Sequence, residues 1–281
     1  MNRNNEVLKN VIDLIDNMKS EKPLVECLTN RVTINDCANM LLAMGASPIM
    51  AEIECEMEDI MRISDALVIN LGLLDEPYLE AMKTAARAAK EFGKPIVLDP
   101  VGAGASALRD RICSEMIELV QPDIIRGNLS EIKSLAGGEV KSKGVDASAD
   151  DAVDDDNMDE FGELVRSYAE KCGCTVCATG AIDIISDGSR IVFVKNGHEM
   201  LCDVTGTGCM CSAMTGATAA AGDPLTAAVA AVVMLGIAGE YAHEYVEETE
   251  QGIGTFRVKL FDYVYTMNAE DYIKRSEIYG E

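Results

Sequence analysis

The chain has 281 residues, 48% of them hydrophobic, enough to build a sizeable core in one large α/β domain or two small ones. Its 48 acidic residues against 24 basic ones leave a formal net charge of −24, which argues against a nucleic-acid partner because the phosphates would be repelled. Any anionic substrate must then be met locally, by backbone N–H groups, a metal ion or a few basic side chains. Ten cysteines without a secretory signal read as free thiols of a cytoplasmic protein rather than as disulfides.

Residues 1–22 carry charges throughout and read as a polar helix, not as a signal peptide. Leu24–Leu28 is a first strand ended by Thr29-Asn30, and residues 32–44 have helical periodicity. A short second strand covers 48–51, an amphipathic stretch 56–64 and a buried strand 66–71. A helix follows over 77–92, with Lys and Arg towards its end and Gly93 just past it. Further strands lie at 95–98 and 124–125. Residues 146–160 hold eight acidic side chains and almost no large apolar ones, the composition of a solvated loop or insertion. A helix over 159–171 and a strand over 175–178 come next, then two strands, 182–186 and 190–195, around the hairpin turn Asp187-Gly188. The Ala-rich run 210–222 and residues 225–248 are helical, and a last helix is expected over 269–279. The apolar stretch 224–239 is too short for a bilayer and reads as a buried helix, so no membrane partner is expected.

Strands alternating with helices imply βαβ units: a mostly parallel central sheet with helices on both faces and an antiparallel hairpin near the C-terminal edge. Ligands of such sheets bind beyond the carboxyl ends of the strands. That rule selects Thr29-Asn30, Met50, Asp99, Arg126-Gly127-Asn128, Thr179-Gly180 and the glycine turn Gly206-Thr207-Gly208-Cys209. The turn opens a helix, whose first N–H groups and partial positive charge suit a phosphate or an oxyanion. Cys209 falls on that first turn, where a thiolate is favoured; a small core residue is the plainer reading. Asp99, with glycines behind it, suits holding Mg²⁺ or orienting a phosphate, or else caps a turn. Asn128 and Glu131 have the spacing of a capping box, while Glu131 can also be a second acidic group acting through Mg²⁺ and water. Arg126 suits a phosphate, and Thr179 a nucleotide phosphate or ribose. Cys172-x-Cys174-x-x-Cys177 resembles a metal or redox spacing, but Cys174 and Cys177 sit in an apparent buried strand, and small buried thiols are the default.

From about Pro23 to Lys259 the chain resembles the hydroxyethylthiazole kinase family, within the ribokinase-like superfamily. The resemblance rests on Thr29-Asn30, LLAMGASPIMA at 41–51, DPVGAG at 99–104, IRGNLSE at 125–131, KGVDA at 143–147, Ala178-Thr179-Gly180 and VTGTGC at 204–209. Most ribokinase-like kinases place an Asp after the two glycines; this family places a Cys, as Cys209 stands here. The resemblance implies one kinase domain over residues 1–281 that moves a phosphoryl group from ATP to the hydroxyl of the thiazole alcohol. It assigns Arg126 and Thr179 to ATP, Met50 and Gly206 with nearby Asn30 to the thiazole, and Asp99 and Glu131 to Mg²⁺. It assigns the N–H groups of Thr207, Gly208 and Cys209 to the transferred phosphoryl, and it implies a homotrimer with sites between subunits. The alternatives are a pyrimidine kinase of the same superfamily, a cofactor-repair dehydratase and a cysteine-rich metal protein.

Overall fold

The computed structural model describes residues 3–137, 153–154 and 156–280. The KGVDA motif and most of the acidic segment 146–160 lie outside the described residues. Chain order runs α1 (Arg3–Glu21), β1 (Leu24–Leu28), α2 (Ile34–Met44), β2 (Ser47–Ile49), α3 (Met57–Ile63), β3 (Ala66–Asn70), α4 (Glu76–Glu91), β4 (Ile96–Asp99) and α5 (Ala107–Val120). It continues with β5 (Ile124–Asn128), α6 (Leu129–Leu135), α7 (Met158–Cys172), β6 (Thr175–Thr179), β7 (Asp183–Ser186) and β8 (Ile191–Val194). The last elements are α8 (Thr207–Ala219), α9 (Pro224–Glu248), α10 (Ile253–Thr266), α11 (Ala269–Arg275) and β9 (Ile278–Gly280).

Among the described residues the strands form one sheet of order β2-β1-β3-β4-β5-β6-β7-β8-β9. Pairing is parallel from β2 to β6 and antiparallel from β6 to β9. Successive strand side chains point to opposite faces, and the core divides accordingly. Val25, Cys27, Val68, Val97, Ile124 and Cys177 pack on one side with α1, α2, α8, α9 and α10. Leu28, Leu67, Ile69, Ile96 and Leu98 pack on the other with α3, α4 and α5, and Ile125, Val176 and Ala178 with α6 and α7. Strands covered on both faces read as continuous apolar runs, which is how β3 reads here. Each aliphatic side chain so buried contributes about 1.5–3 kcal/mol. The parallel strands therefore carry the core, and their carboxyl ends share one edge.

Helix α9 is buried almost all round and packs on α1, α8 and α10. It is long and apolar enough to cross a membrane by length and composition, yet 83% of its most apolar window is buried inside the protein. Asp223 caps it by accepting from Thr226 N, with Pro224 at the first helical position, where its missing N–H costs nothing.

Three elements differ from the sequence reading. Helix α5 follows the glycine loop, capped by Ser106, and was not expected there. Helix α10 fills the stretch left unassigned after α9. The helix expected over 269–279 stops at Arg275, and Ile278–Gly280 instead pairs with β8, so the antiparallel part is larger than one hairpin. Pairing with an otherwise open sheet edge outweighs local helical propensity at that point.

Candidate active site

Five of the six parallel strands deliver side chains to the shared edge. Asn30 stands two residues past β1, Asn70 and Asp99 end β3 and β4, Arg126 lies inside β5, and Thr179 ends β6. Register places Asn70 beside Asp99 and Asn128 beside Thr179. Helix α8 lies over β1, β3 and β4 and brings its N-terminus to the same place. Gly206, the residue before α8, has φ 86°, and a side chain there would collide with Thr33. A Cβ on Gly208 would lie 2.8 Å from Arg126 Nη1, so the guanidinium sits directly against the turn. The first helical bond is Met210 N to Gly206 O, and no side chain caps α8. The N–H groups of Thr207, Gly208 and Cys209 precede that bond. The Thr207 hydroxyl itself donates to Leu201 O at 2.9 Å, which ties the turn to the preceding segment.

A side-chain network surrounds Cys209. Asn30 Oδ1 accepts from Val32 N and Thr33 N at 3.1 and 3.2 Å, and Asn70 Oδ1 accepts from Gly72 N at 3.0 Å. Backbone donors thus fix both amide orientations. Both Nδ2 groups are left to donate to Cys209 Sγ, each at 3.3 Å. Asn30 Nδ2 also donates to Asn70 Oδ1 at 3.2 Å, and Asn70 Nδ2 to Asp99 Oδ2 at 2.9 Å. Ser212, one turn along α8, donates to the same Asp99 oxygen at 2.7 Å. Asp99, the Asn pair and Cys209 are one connected unit.

The expectation of a thiolate at Cys209 is corrected by its surroundings. Burial, followed by the charge of Asp99, raises the Cys209 pKa; the contacts with Thr33, Asn70 and Asn30 oppose that rise without cancelling it. The helix terminus is therefore outweighed by desolvation and a like charge.

Glu131 satisfies both of its sequence readings in geometry. Asn128 Oδ1 accepts from Glu131 N and Glu131 Oε2 accepts from Asn128 N, each at 2.8 Å, so the capping box is present. Its other oxygen, Oε1, accepts from Gly102 N at 2.8 Å, holding the glycine loop after Asp99. Arg126 Nη2 donates to Thr179 Oγ1 at 2.6 Å, and its Nε has no partner.

Asp99, Glu131 and Arg126 are only 2%, 6% and 8% exposed, so their charges must be balanced within the site. Burial raises Asp99, and burial together with the charge of Asp99 pushes Glu131 up to about 7, despite Arg126 beside both. Burial opposes the charge of Arg126, but Cys211, Asp99, Cys177 and Glu131 more than offset it and raise the guanidinium above its ordinary value. Two crowded carboxylates with one cation between them fit a further divalent ion. Among the described residues no three His, Cys, Asp or Glu side chains converge on one metal position. An ion here would complete its shell with water and phosphate oxygens, the habit of Mg²⁺.

Met50 follows β2, half-buried against the α2 and α8 side of the core, with no hydrogen bond to the Cys209 network. Its neighbour Ala51 donates its N–H to Glu26 Oε2 at 3.4 Å. The sequence reading missed Asn70 and Ser212. The strand-end rule, applied to β3, could have found Asn70; nothing local marks Ser212.

The Hydroxyethylthiazole kinase family model matches residues 15–270. The chain is 44% identical to the hydroxyethylthiazole kinase of Ruminiclostridium cellulolyticum, over 97% of this chain and 98% of that one. It is 40% identical to that of Methanobrevibacter smithii over 99% of each. The solved hydroxyethylthiazole kinase protein of Pyrococcus horikoshii OT3 superposes with a TM-score of 0.85 at 40% identity, covering 97% of this chain and 99% of that one. A pyridoxal kinase of Staphylococcus aureus, 16% identical, shares the fold at a TM-score of 0.58 over 78% of this chain and 88% of its own. Neither the pyrimidine kinase nor the dehydratase alternative is favoured by these relatives. With a mostly parallel ribokinase-like sheet and the glycine turn, the asparagine pair and the buried carboxylates at its carboxyl edge, the chain belongs to the hydroxyethylthiazole kinase family.

Proposed function

We propose that this chain transfers the γ-phosphoryl group of ATP to the primary hydroxyl of 4-methyl-5-(2-hydroxyethyl)thiazole, giving the thiazole phosphate used in thiamine biosynthesis and salvage. The observation that carries the reading is the family match over residues 15–270. One kinase domain spans residues 1–281, and it works in the cytoplasm.

In this reading Met50, Gly206 and Asn30 hold the thiazole with its hydroxyl towards Cys209. Arg126 and Thr179 bind ATP phosphates, and their mutual bond pre-orients the guanidinium. The hydroxyl oxygen bonds to the γ-phosphorus as the bridging P–O bond to ADP breaks. Charge on the moving phosphoryl is met by the N–H groups of Thr207, Gly208 and Cys209, which are in place before the reaction. The transition state is loose, so the alcohol proton leaves late and a strong base is not required. Cys209, held as an acceptor by two amide donors, positions the hydroxyl, whose proton passes to an oxygen of the transferred phosphoryl. Asp99 and Glu131 would hold Mg²⁺, which when bound neutralises phosphate charge.

The active form is a homotrimer with sites between subunits. A groove of about 730 Å³ between α2 and α10, edged by exposed Leu42, Val258 and Tyr265, supports a partner surface. Sedimentation tests it: a fully active monomer at working concentration contradicts the trimer. The reaction is tested by offering ATP with either the thiazole alcohol or hydroxymethylpyrimidine. Turnover of the thiazole alone is expected; preference for the pyrimidine would overturn the assignment.

A further inference from the structure

The cysteine motif that the active site leaves unused sits at the opposite end of β6. Cys172 is the last residue of α7, Gly173 follows in the left-handed region (φ 68°, ψ 29°), and Cys174 precedes β6. The Gly173 N–H returns to Ala169 O at 2.8 Å, closing the helix. Successive Cα atoms are about 3.8 Å apart, and a left-handed residue curls the chain, so positions 172 and 174 approach the separation that a disulfide spans. Both cysteines are half-buried and pack on the same apolar cluster, so their side chains point the same way. They line one cavity of about 400 Å³, together with Tyr168 and Lys171.

We infer that Cys172 and Cys174 form a redox-active dithiol that hydroperoxides oxidise reversibly to a disulfide, with Cys172 as the attacking thiol and Cys174 as the resolving one.

The chemistry of the pair assigns these roles. The two thiols face one cavity, with Tyr168 and Lys171 beside them. The contact with Cys174 draws Cys172 below its ordinary pKa against the effect of burial, and Tyr168 and Lys171 act in the same direction. Cys174 is raised, chiefly by that same contact. A thiolate fraction at Cys172, facing that cavity, is the reactive arrangement. Its sulfur attacks one peroxide oxygen; an S–O bond forms, the O–O bond breaks, and the departing oxygen takes a proton. Cys174 then loses its proton and attacks the Cys172 sulfur, displacing the sulfenic oxygen as water. Two thiols give up two electrons and two protons to the peroxide. A dithiol reductant reverses the disulfide by exchange.

Thr175 opens β6 and Thr179 closes it, so the dithiol and the ATP-binding end are separated by the whole strand. Closing the disulfide staples the α7 end without touching the catalytic edge, and turnover is expected to survive it.

The test is mass spectrometry of the intact protein and its tryptic peptides after stoichiometric hydrogen peroxide. The peptide beginning at Cys172 is expected to lose two hydrogens and regain them with a dithiol reductant. Fragment ions distinguish a 172–174 bond from any involvement of Cys177, which lies on the same peptide but is fully buried. The exposed thiol of Cys55 serves as the internal reference. The pair is expected to react about tenfold faster than Cys55, as a lowered thiol pKa allows. In Cys174→Ser, Cys172 should accumulate as a sulfenic acid that dimedone captures, with turnover unchanged. In Cys172→Ser, Cys174 should react no faster than Cys55. A pair still reduced when Cys55 is oxidised would overturn the inference, and so would a disulfide joining Cys172 to any other cysteine or a dimedone adduct on Cys174 instead.

Discussion

Helices α6 and α8 begin at the same edge of the sheet and meet opposite fates. The α6 end is filled by its own chain: Asn128 and Glu131 take each other's N–H groups, and Glu131 reaches on to Gly102. The α8 end has Gly206 in place of a capping side chain and no acidic residue in its first turn. One helix spends its terminal donors on stability, while the other keeps them for a ligand. An orphan N–H group costs on the order of 1 kcal/mol of helix stability when its cap is missing. The open α8 end carries that cost, which matters only if something anionic visits. The filled α6 end in turn immobilises Glu131 and, through Gly102, the glycine loop after Asp99.

The largest effect is expected where the two ends meet. Asp99→Asn removes a charge but keeps an oxygen that can accept from Asn70 and Ser212, so the fold should stand. Turnover should fall about 100- to 1,000-fold, the scale of losing one electrostatic element of a preorganised site. Steady-state kinetics beside a thermal melt separates the two, and an unchanged kcat would remove Asp99 from the α8 account.

Next comes the link between Asp99 and Cys209. Asn70→Ala takes a donor from each and should lower kcat about 10- to 100-fold, with the KM for ATP unchanged. Asn70→Asp should not rescue it, because an acceptor would then face Asp99. A raised KM for ATP with intact kcat would instead place Asn70 on the nucleotide.

Glu131→Gln probes the α6 end. An amide can replace only one of the two accepted N–H bonds, so about 1 kcal/mol of stability should go. Turnover should fall about tenfold if the carboxylate also serves the metal. Loss of melting temperature with full kcat would make Glu131 a cap and nothing more.

The comparison also needs a carboxyl remote from both helix ends. Glu26 is wholly buried on β1, with Oε1 lacking a partner, and burial pushes its pKa up to about 8 against the N–H bond from Ala51. The folded chain holds this proton more tightly than the unfolded one. The resulting stability is complete below the ordinary carboxyl pKa of about 4.3 and is lost as the pH rises through about 8. Glu26→Gln removes the titration, so at pH 8 it should be more stable than the parent and melt higher, with a gain on the order of 4–5 kcal/mol and turnover unchanged. A parent stability that stays flat from about pH 5 to 8 would contradict the assignment.

The sequence made the parallel strands legible because both of their faces are buried and their apolar runs end in polar residues. Asp99, Arg126 and Thr179 were readable for the same reason: each lies at or near a strand end. Asn70 stood at the end of an equally clear strand, but a lone Asn after an apolar run looks like an ordinary turn residue. Ser212 is visible only once α8 packs over β4. The Cys209 thiol could not be judged from its helix position, since its pKa is governed by burial and by an aspartate 110 residues earlier. Helix α10 was missed because its register shows only against α2 and α9, and β9 because its partner strand lies more than eighty residues away.

The central claim is that the open α8 end, with Cys209 held as an acceptor by Asn30 and Asn70, supports transfer to the thiazole hydroxyl. The direct measurement is kcat for Cys209→Asp, Cys209→Ser and Cys209→Ala, alongside binding of ATP and the thiazole. A carboxylate in that cradle accepts both amide donors and takes the alcohol proton readily. The account predicts an Asp variant at least as active as the parent, with Ser and Ala slower. An Asp variant that binds both substrates normally and does not turn over would contradict it, as would an Ala variant at full rate.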